Sequence, residues 1–183
     1  MKQIRRGAVL LAGTALVGMT LAACGSSKSS DTGSGLIVGT TDKVVSIDPA
    51  GSYDNGSLTV QTQVYQYLLN FPAGSTELTP DAASKCAFTQ PTEYTCTIKD
   101  GLKFANGHDL TASDVAFSFK RIVKINDPNG PASLLGAMKS VEAKDKSTVV
   151  FNLTSPNVQT FPEILVTSEG PTLEQRTSPA DQI

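Results

Sequence analysis

The sequence predicts a mixed α/β fold over residues 36–168. Residues 86–98 alternate apolar and polar side chains, which is typical of a half-buried hairpin. Residues 111–123 contain a helix-start pattern followed by an apolar stripe of Val115, Phe119 and Ile122. Strand-type and helix-type segments also alternate along the chain without an internal repeat, and roughly 150 residues are enough for one modest core.

The N-terminus has the order of a secretory signal. A basic start is followed by residues 7–23, which carry no charge, and small residues precede Cys24. The cysteine at the cleavage position makes residues 1–23 resemble a bacterial lipoprotein signal, which implies a diacylglyceryl anchor on Cys24 and a place on the extracytoplasmic face of a bacterial cell membrane. A retained transmembrane helix is disfavoured, since the uncharged segment is shorter than the roughly 20 residues of a span. An ordinary signal followed by an incidental cysteine stays open.

Two further segments are predicted to lie outside the fold. Residues 24–35 are rich in Gly and Ser and carry no apolar side chain after Cys24, so we expect a flexible tether. Residues 169–183 are polar, contain Pro171 and Pro179 and lack periodicity, so we expect a disordered tail.

Composition disfavours several function classes. The chain has 15 basic and 17 acidic residues and a formal net charge of −2, which gives no electrostatic case for nucleic-acid binding. Neither G-x-S-x-G nor H-E-x-x-H occurs, and the single histidine, His108, follows the turn pair Asn106-Gly107. We interpret His108 as a turn residue rather than a catalytic base. The sequence therefore predicts no enzyme, no metal site and no cofactor.

The first two elements are predicted from apolar spacing. Residues 36–40 form a short apolar run that indicates a strand. Residues 57–69 are predicted to be a helix, because Val60, Val64 and Leu68 recur at helical spacing with Tyr65 and Leu69 beside them.

The best-defined hairpin contains two cysteines. If Pro91 is the pivot of the turn, Phe88 faces Tyr94 and Cys86 faces Cys96 on one side of the strand pair. Opposed Cβ atoms lie about 4.5–5.5 Å apart, which is close to the separation that a disulfide needs. An even pair of cysteines in an exported protein favours a structural disulfide. A redox or metal role is disfavoured by the absence of C-x-x-C.

The later elements follow from a cap and from turn residues. Thr111 at the N-cap and Asp114 at N3 form a variant of the capping box, and the helix is predicted to run to about Val123. Residues 141–143 and 149–153 predict a second hairpin. Ser155-Pro156 is predicted to open a short helix toward Leu165.

Residues 94–121 resemble the family 5 extracytoplasmic solute-binding proteins, which are the peptide, oligopeptide and nickel receptors of ABC importers. The resemblance rests on an aromatic strand followed by Asp100-Gly101, on Leu110-Thr-Ala-x-Asp-Val115, and on an aromatic helix that ends in Arg121. Weaker agreement includes Ser46-Ile-Asp-Pro49, and the whole resemblance covers residues 36–168.

The resemblance implies the N-terminal part of a periplasmic-binding-protein-like two-lobe fold. Residues 36–168 would be a partial lobe one with its inserted small α/β subdomain, and the second lobe would be lacking. Family members capture a peptide or other small solute by hinge closure and deliver it to a permease and ATPase complex. A solute stabilises closure only if it contacts both lobes, so we expect an N-terminal fragment that does not bind solute alone.

The resemblance also gives the candidate ligand residues. Relatives place ligand contacts at the exit of the first strand, which here is Thr41, Asp42 and Lys43. Solvated loop residues without a role remain an open alternative for all three. Two other functions also stay open: a lipid-anchored structural or interaction module, and a receptor for nickel or another small solute.

Overall fold

A computed structural model of the protein describes residues 37–166 and Thr172. The predicted signal peptide (1–23), the lipid-bearing Cys24 with its tether (24–35) and most of the predicted tail (169–183) lie outside the described residues. The chain divides into two units, residues 1–39 and residues 40–183. In the first unit, residues 37–39 have no regular secondary structure.

The second unit contains every helix and strand among the described residues. In chain order these are α1 (Asn55–Val64), β1 (Leu69–Asn70), β2 (Thr79–Pro80), β3 (Ala83–Gln90), β4 (Glu93–Ile98), α2 (Ala112–Ile125), a 3₁₀ helix (Ala132–Ala137), β5 (Met138–Ala143), β6 (Thr148–Leu153) and α3 (Phe161–Ile164). Strands β1 and β2 form a small antiparallel pair. The main sheet is antiparallel with strand order β3-β4-β6-β5, and α2 packs against β5 and β6.

The β3–β4 hairpin has the predicted register. Cys86 lies opposite Cys96 and Phe88 opposite Tyr94, so the predicted cross-strand pairs are confirmed. The two rings meet edge to face with centroids 4.9 Å apart, and the two sulfur atoms are joined in a disulfide at 2.04 Å. Tyr94, Cys96 and Ile98 are buried while their neighbours are more exposed, which is the alternation expected of a strand with one face on the core.

Helix α2 begins where its cap predicts. The Thr111 backbone N–H donates to Asp114 Oδ2 at 2.9 Å, and the Thr111 hydroxyl donates to the same oxygen at 2.6 Å. The predicted apolar stripe of Val115, Phe119 and Ile122 is fully buried. The helix runs two residues beyond the predicted end, because left-handed Asn126 (φ 46°) ends it by donating its N–H to the Ile122 carbonyl oxygen.

An aromatic chain fills the space between α2, the sheet and α3. The ring of Phe119 contacts Phe151 at 4.9 Å, Phe151 contacts Phe161 at 5.4 Å, and Phe161 contacts Tyr94 at 5.8 Å. Such edge-to-face and tilted pairs contribute about 0.5–1.5 kcal/mol each beyond the burial of their area. The second predicted hairpin is confirmed as β5 and β6, whereas the predicted short helix begins at Phe161 and not at Ser155-Pro156.

The predictions for the first two elements are wrong in part. Residues 37–40 form no strand, because a strand exists only within a hydrogen-bonded ladder and the ladders of the described residues are those of β1–β6. The predicted helix 57–69 ends at Val64. Tyr65 turns to an extended conformation (φ −107°, ψ 154°), and Leu69 enters β1 because residues 67–69 are buried in the core.

Candidate functional site

The three predicted ligand residues lie together on the loop that precedes α1, residues 40–54, which is called the candidate loop below. Thr41 and Asp42 form a bend, Lys43 follows it, and all three are exposed. The Asp42 backbone N–H donates to the Thr40 hydroxyl oxygen at 3.0 Å, which orders the start of the bend. The loop therefore presents a hydroxyl, a carboxylate and an ammonium group side by side, and none of them is enclosed.

The first turn of α1 forms hydrogen bonds and a close backbone contact with this loop. The Ser57 hydroxyl oxygen accepts from the backbone N–H groups of Val45 at 2.9 Å and Ser46 at 3.2 Å. A Cβ on Gly56 would overlap the carbonyl oxygen of Lys43, so the loop lies directly on the helix backbone at a glycine. Asp54 caps the helix by accepting from the Ser57 backbone N–H at 2.9 Å.

A buried polar network continues along the same loop. Gln61 is fully buried, and its side-chain Nε2 donates to the Ser52 hydroxyl oxygen at 2.8 Å. The Ser52 hydroxyl donates in turn to the Ser46 carbonyl oxygen at 2.9 Å. Hydrogen bonds between α1 and residues 45–52 thus fix the backbone that directly follows the candidate residues.

A bidentate ion pair attaches the loop to α2. Arg121 Nη1 donates to Asp48 Oδ1 at 2.7 Å, and Arg121 Nη2 donates to Asp48 Oδ2 at 2.6 Å. The Arg121 side chain is 3% exposed and that of Asp48 is 40% exposed. The hydrogen bonds from Arg121 lower the pKa of Asp48 despite partial burial, and those to Asp48 raise the pKa of Arg121. Both groups are charged at neutral pH.

The sequence contained both members of this pair but did not predict their contact. Asp48 lies in the Ser46–Pro49 motif and Arg121 lies in α2, 73 positions later. One signal was available. Arg121 lies on the same helical face as Phe117 and Ser118, which are buried, and a charged residue on a buried face needs a partner of opposite charge.

The remaining predicted features have simple structural roles. His108 is exposed in a turn at Gly107 (φ 87°), and its backbone N–H donates to Asn106 Oδ1 at 3.0 Å. Within residues 37–166 and at Thr172, no three His, Cys, Asp or Glu side chains cluster as metal ligands do. No helix in this described part of the chain has the length and hydropathy needed to cross a bilayer.

The candidate loop carries hydrogen-bonding groups that suit a polar solute but no catalytic constellation. Asp42 supplies an acceptor for an ammonium group, while Thr41 and Lys43 supply donors for a carboxylate or a carbonyl oxygen.

The profile of the family described as "Bacterial extracellular solute-binding proteins, family 5 Middle" matches residues 77–181. The chain belongs to this family.

Curated relatives of this family 5 protein include two peptide-binding proteins. It is 36% identical over 126 residues to the probable D,D-dipeptide-binding periplasmic protein DdpA of Escherichia coli, an alignment that covers 66% of this chain and 24% of DdpA. It is 26% identical over 164 residues to the oligopeptide-binding protein AppA of Bacillus subtilis, which covers 84% of this chain and 30% of AppA. The chain thus spans less than a third of the length of these relatives.

Solved structures show the same fold. The Escherichia coli murein tripeptide binding protein MppA superposes with a TM-score of 0.66 at 21% identity, over 74% of this chain and 30% of MppA. The mixed α/β prediction is therefore confirmed, and this family 5 chain matches part of a periplasmic-binding-protein fold.

Proposed function

We propose that this chain serves in the uptake of peptides as a solute-binding component of an ABC importer. The family match carries the proposal, because the members are extracellular solute-binding proteins. DdpA and AppA are named as a dipeptide-binding and an oligopeptide-binding protein, which favours peptides as the solute class. The family consists of binding proteins, and we propose that this chain catalyses no reaction. Its partners would be a permease and ATPase complex in the membrane, to which a lipid on Cys24 holds it.

Within this function, Thr41, Asp42 and Lys43 contact the solute. The proposal is supported by their shared position on one exposed loop and by the backbone contacts that fix this loop on α1. A peptide carries an ammonium group, a carboxylate and backbone amides, and the three side chains offer complementary partners for these groups. Because the loop is held by Ser57 and by the Asp48–Arg121 pair, less ordering is needed when the solute binds.

The chain alone does not retain a peptide under this proposal. All three candidate side chains are exposed, so a peptide on the loop would remain open to water on its other side. Capture by hinge closure requires contacts on two opposed surfaces. A solute stabilises the closed state only if it interacts more favourably with that state than with the open state. We expect the chain to show no saturable binding of dipeptides or oligopeptides below a dissociation constant of about 1 mM.

A chimera tests the proposed function directly. Residues 40–166 of this chain would replace the corresponding segment of DdpA, and binding of a D,D-dipeptide would be measured by isothermal titration calorimetry. We expect a folded chimera that binds the dipeptide within about tenfold of the DdpA affinity. A chimera that keeps its circular dichroism spectrum and melting transition but has lost all binding would contradict the proposal.

Single variants of the chimera test the loop. Lys43→Gln and Asp42→Asn remove one charge each at the proposed contact, and we expect each to weaken binding by about tenfold or more. Lys85→Gln, at an exposed position on β3, is the matched control and should leave the affinity unchanged. If Lys43→Gln and Lys85→Gln behave alike, the loop is not the contact.

The lipid anchor has its own test. Expression of the full chain in a bacterial host with a radiolabelled fatty acid should label the wild-type protein and leave Cys24→Ser unlabelled. The wild type should sediment with membranes, whereas the Cys24→Ser variant should be released from them. Equal labelling of the two proteins would disprove anchoring at this residue.

A further inference from the structure

A cavity separate from the candidate loop lies at the end of β4. This cavity of about 400 Å³ opens between the loop after β4 and the turn that joins β5 to β6. Its apolar lining comes from Ile98 and Leu110, which are buried, and from half-buried Leu102. This cavity shares no lining residue with the loop of Thr41, Asp42 and Lys43. Its volume falls in the range of about 300–1,000 Å³ that is usual for small-molecule sites.

Two lysines share one carboxylate at the edge of this cavity. Lys103 Nζ donates to Asp109 Oδ1 at 2.8 Å, and Lys146 Nζ donates to Asp109 Oδ2 at 2.9 Å. Lys103 also donates to the Gly107 carbonyl oxygen at 3.3 Å. The hydrogen bonds from Lys103 and then from Lys146 lower the pKa of Asp109 to about 2, so the three groups are all charged at neutral pH. The trio carries one net positive charge.

The rest of the lining does not cancel this charge. Lys99 and Asp100 also line the cavity, and their charges offset each other. Three lysines against two aspartates therefore leave a single positive charge on a partly apolar cavity. Each ammonium group has three protons, and the hydrogen bonds recorded among the described residues leave protons on both Lys103 and Lys146 for an incoming acceptor.

We propose that this cavity binds a monoanionic carboxylate with a small apolar body, such as an N-acylated apolar amino acid. The carboxylate accepts charge-assisted hydrogen bonds from Lys103 and Lys146, and the apolar body lies against Ile98, Leu102 and Leu110. Asp109 holds the two ammonium groups at the edge of the cavity before the ligand arrives, which reduces the entropy lost on binding. The proposal is independent of peptide uptake at the first loop.

The test uses N-acetyl-L-leucine and its neutral analogue N-acetyl-L-leucinamide with the full 183-residue chain. The two probes differ only in the carboxylate. Titration followed by amide chemical shifts should show saturable changes at residues 98–103 and 146–147, with a dissociation constant of about 1 mM for the acid. The amide should bind at least about tenfold more weakly. Equal binding of acid and amide, or no saturable shift with the acid, overturns the proposal.

Matched variants locate the site. Lys146→Gln should weaken binding of the acid about tenfold, and Lys103→Gln should do the same. Lys144→Gln is the control, because Lys144 lies on the same turn and pairs with Glu142 at 3.1 Å but does not line the cavity. It removes the same charge and should bind as the wild type does. If Lys144→Gln weakens binding as much as Lys146→Gln, the effect comes from net charge alone and the site is refuted.

Discussion

The ion pair between Asp48 and Arg121 gives the sharpest test of how the candidate loop is held. Asp48→Asn keeps the size of the side chain but removes its charge and one of the two Asp48 oxygens that accept from Arg121. Arg121 then stays 3% exposed without the Asp48 carboxylate. The cost of the substitution is thus chiefly that of a buried guanidinium group that has lost the Asp48 carboxylate.

The magnitude follows from the exposure of the two partners. Removal of one partner from a fully buried pair costs about 3–5 kcal/mol. Asp48 is 40% exposed, so water already screens part of the interaction and can solvate part of the vacated site. We therefore expect the free energy of unfolding to fall by about 2–3 kcal/mol at pH 7.

The same pair predicts a dependence of stability on pH. The hydrogen bonds that Arg121 donates to Asp48 lower the pKa of Asp48 below the ordinary value of 3.8. A group whose pKa is lowered on folding stabilises the protein fully above its unfolded value and loses that effect as the pH falls through the folded value. The stability difference between wild type and Asp48→Asn should therefore be constant near neutral pH and shrink as the pH falls below 3.8.

Urea unfolding followed by circular dichroism measures both effects. Glu142→Gln is the control, because Glu142 forms an exposed ion pair with Lys144 and its loss should cost less than about 1 kcal/mol. A double-mutant cycle of Asp48→Asn with Arg121→Met isolates the pair. Additivity of the two substitutions within about 0.5 kcal/mol, or an Asp48→Asn effect no larger than that of Glu142→Gln, would refute the reasoning.

Two further experiments probe the backbone contacts and the hairpin. Gly56→Ala should lower the free energy of unfolding by about 1–3 kcal/mol, because the new methyl group meets the Lys43 carbonyl oxygen, whereas Gly136→Ala meets no atom within 4 Å and should be close to neutral in the same urea titration. Replacement of Cys86 and Cys96 together by alanine should cost about 2–3 kcal/mol, and a reductant should lower the melting temperature of the wild type but not of the double variant. A wild type whose transition does not respond to the reductant would speak against a disulfide that contributes to stability.

Local signals account for the elements that the sequence predicts well. The register of β3 and β4 follows from two cross-strand pairs on one face, since a slip of one residue would move Tyr94 and Cys96 away from the core. The start of α2 follows from Thr111 and Asp114, which lie three positions apart and interact within one turn. Both features depend on neighbours in sequence.

Contacts between distant residues account for the errors. Val64 has the spacing of a buried helical residue but is 64% exposed, while polar Gln61 is fully buried. Gln61 is buried because it donates to Ser52, and the chain leaves the helix after Val64 because Leu68 and Leu69 complete the core. Periodicity assumes that a helix buries apolar side chains, so it assigns the wrong face to α1.

The buried face of α1 is polar, and this affects which part of the molecule unfolds locally first. This helix buries only Gly56, Ser57 and Gln61, so hydrogen bonds rather than apolar area hold it in place. Amide hydrogen exchange in α1 should therefore proceed by local opening while α2 and the sheet stay protected. Val45 and Ser46 of the candidate loop would gain freedom in the same event, because the Ser57 hydroxyl oxygen accepts from their backbone N–H groups. A solute seated on that loop would then be detected as slowed exchange in α1, well before any change in the sheet.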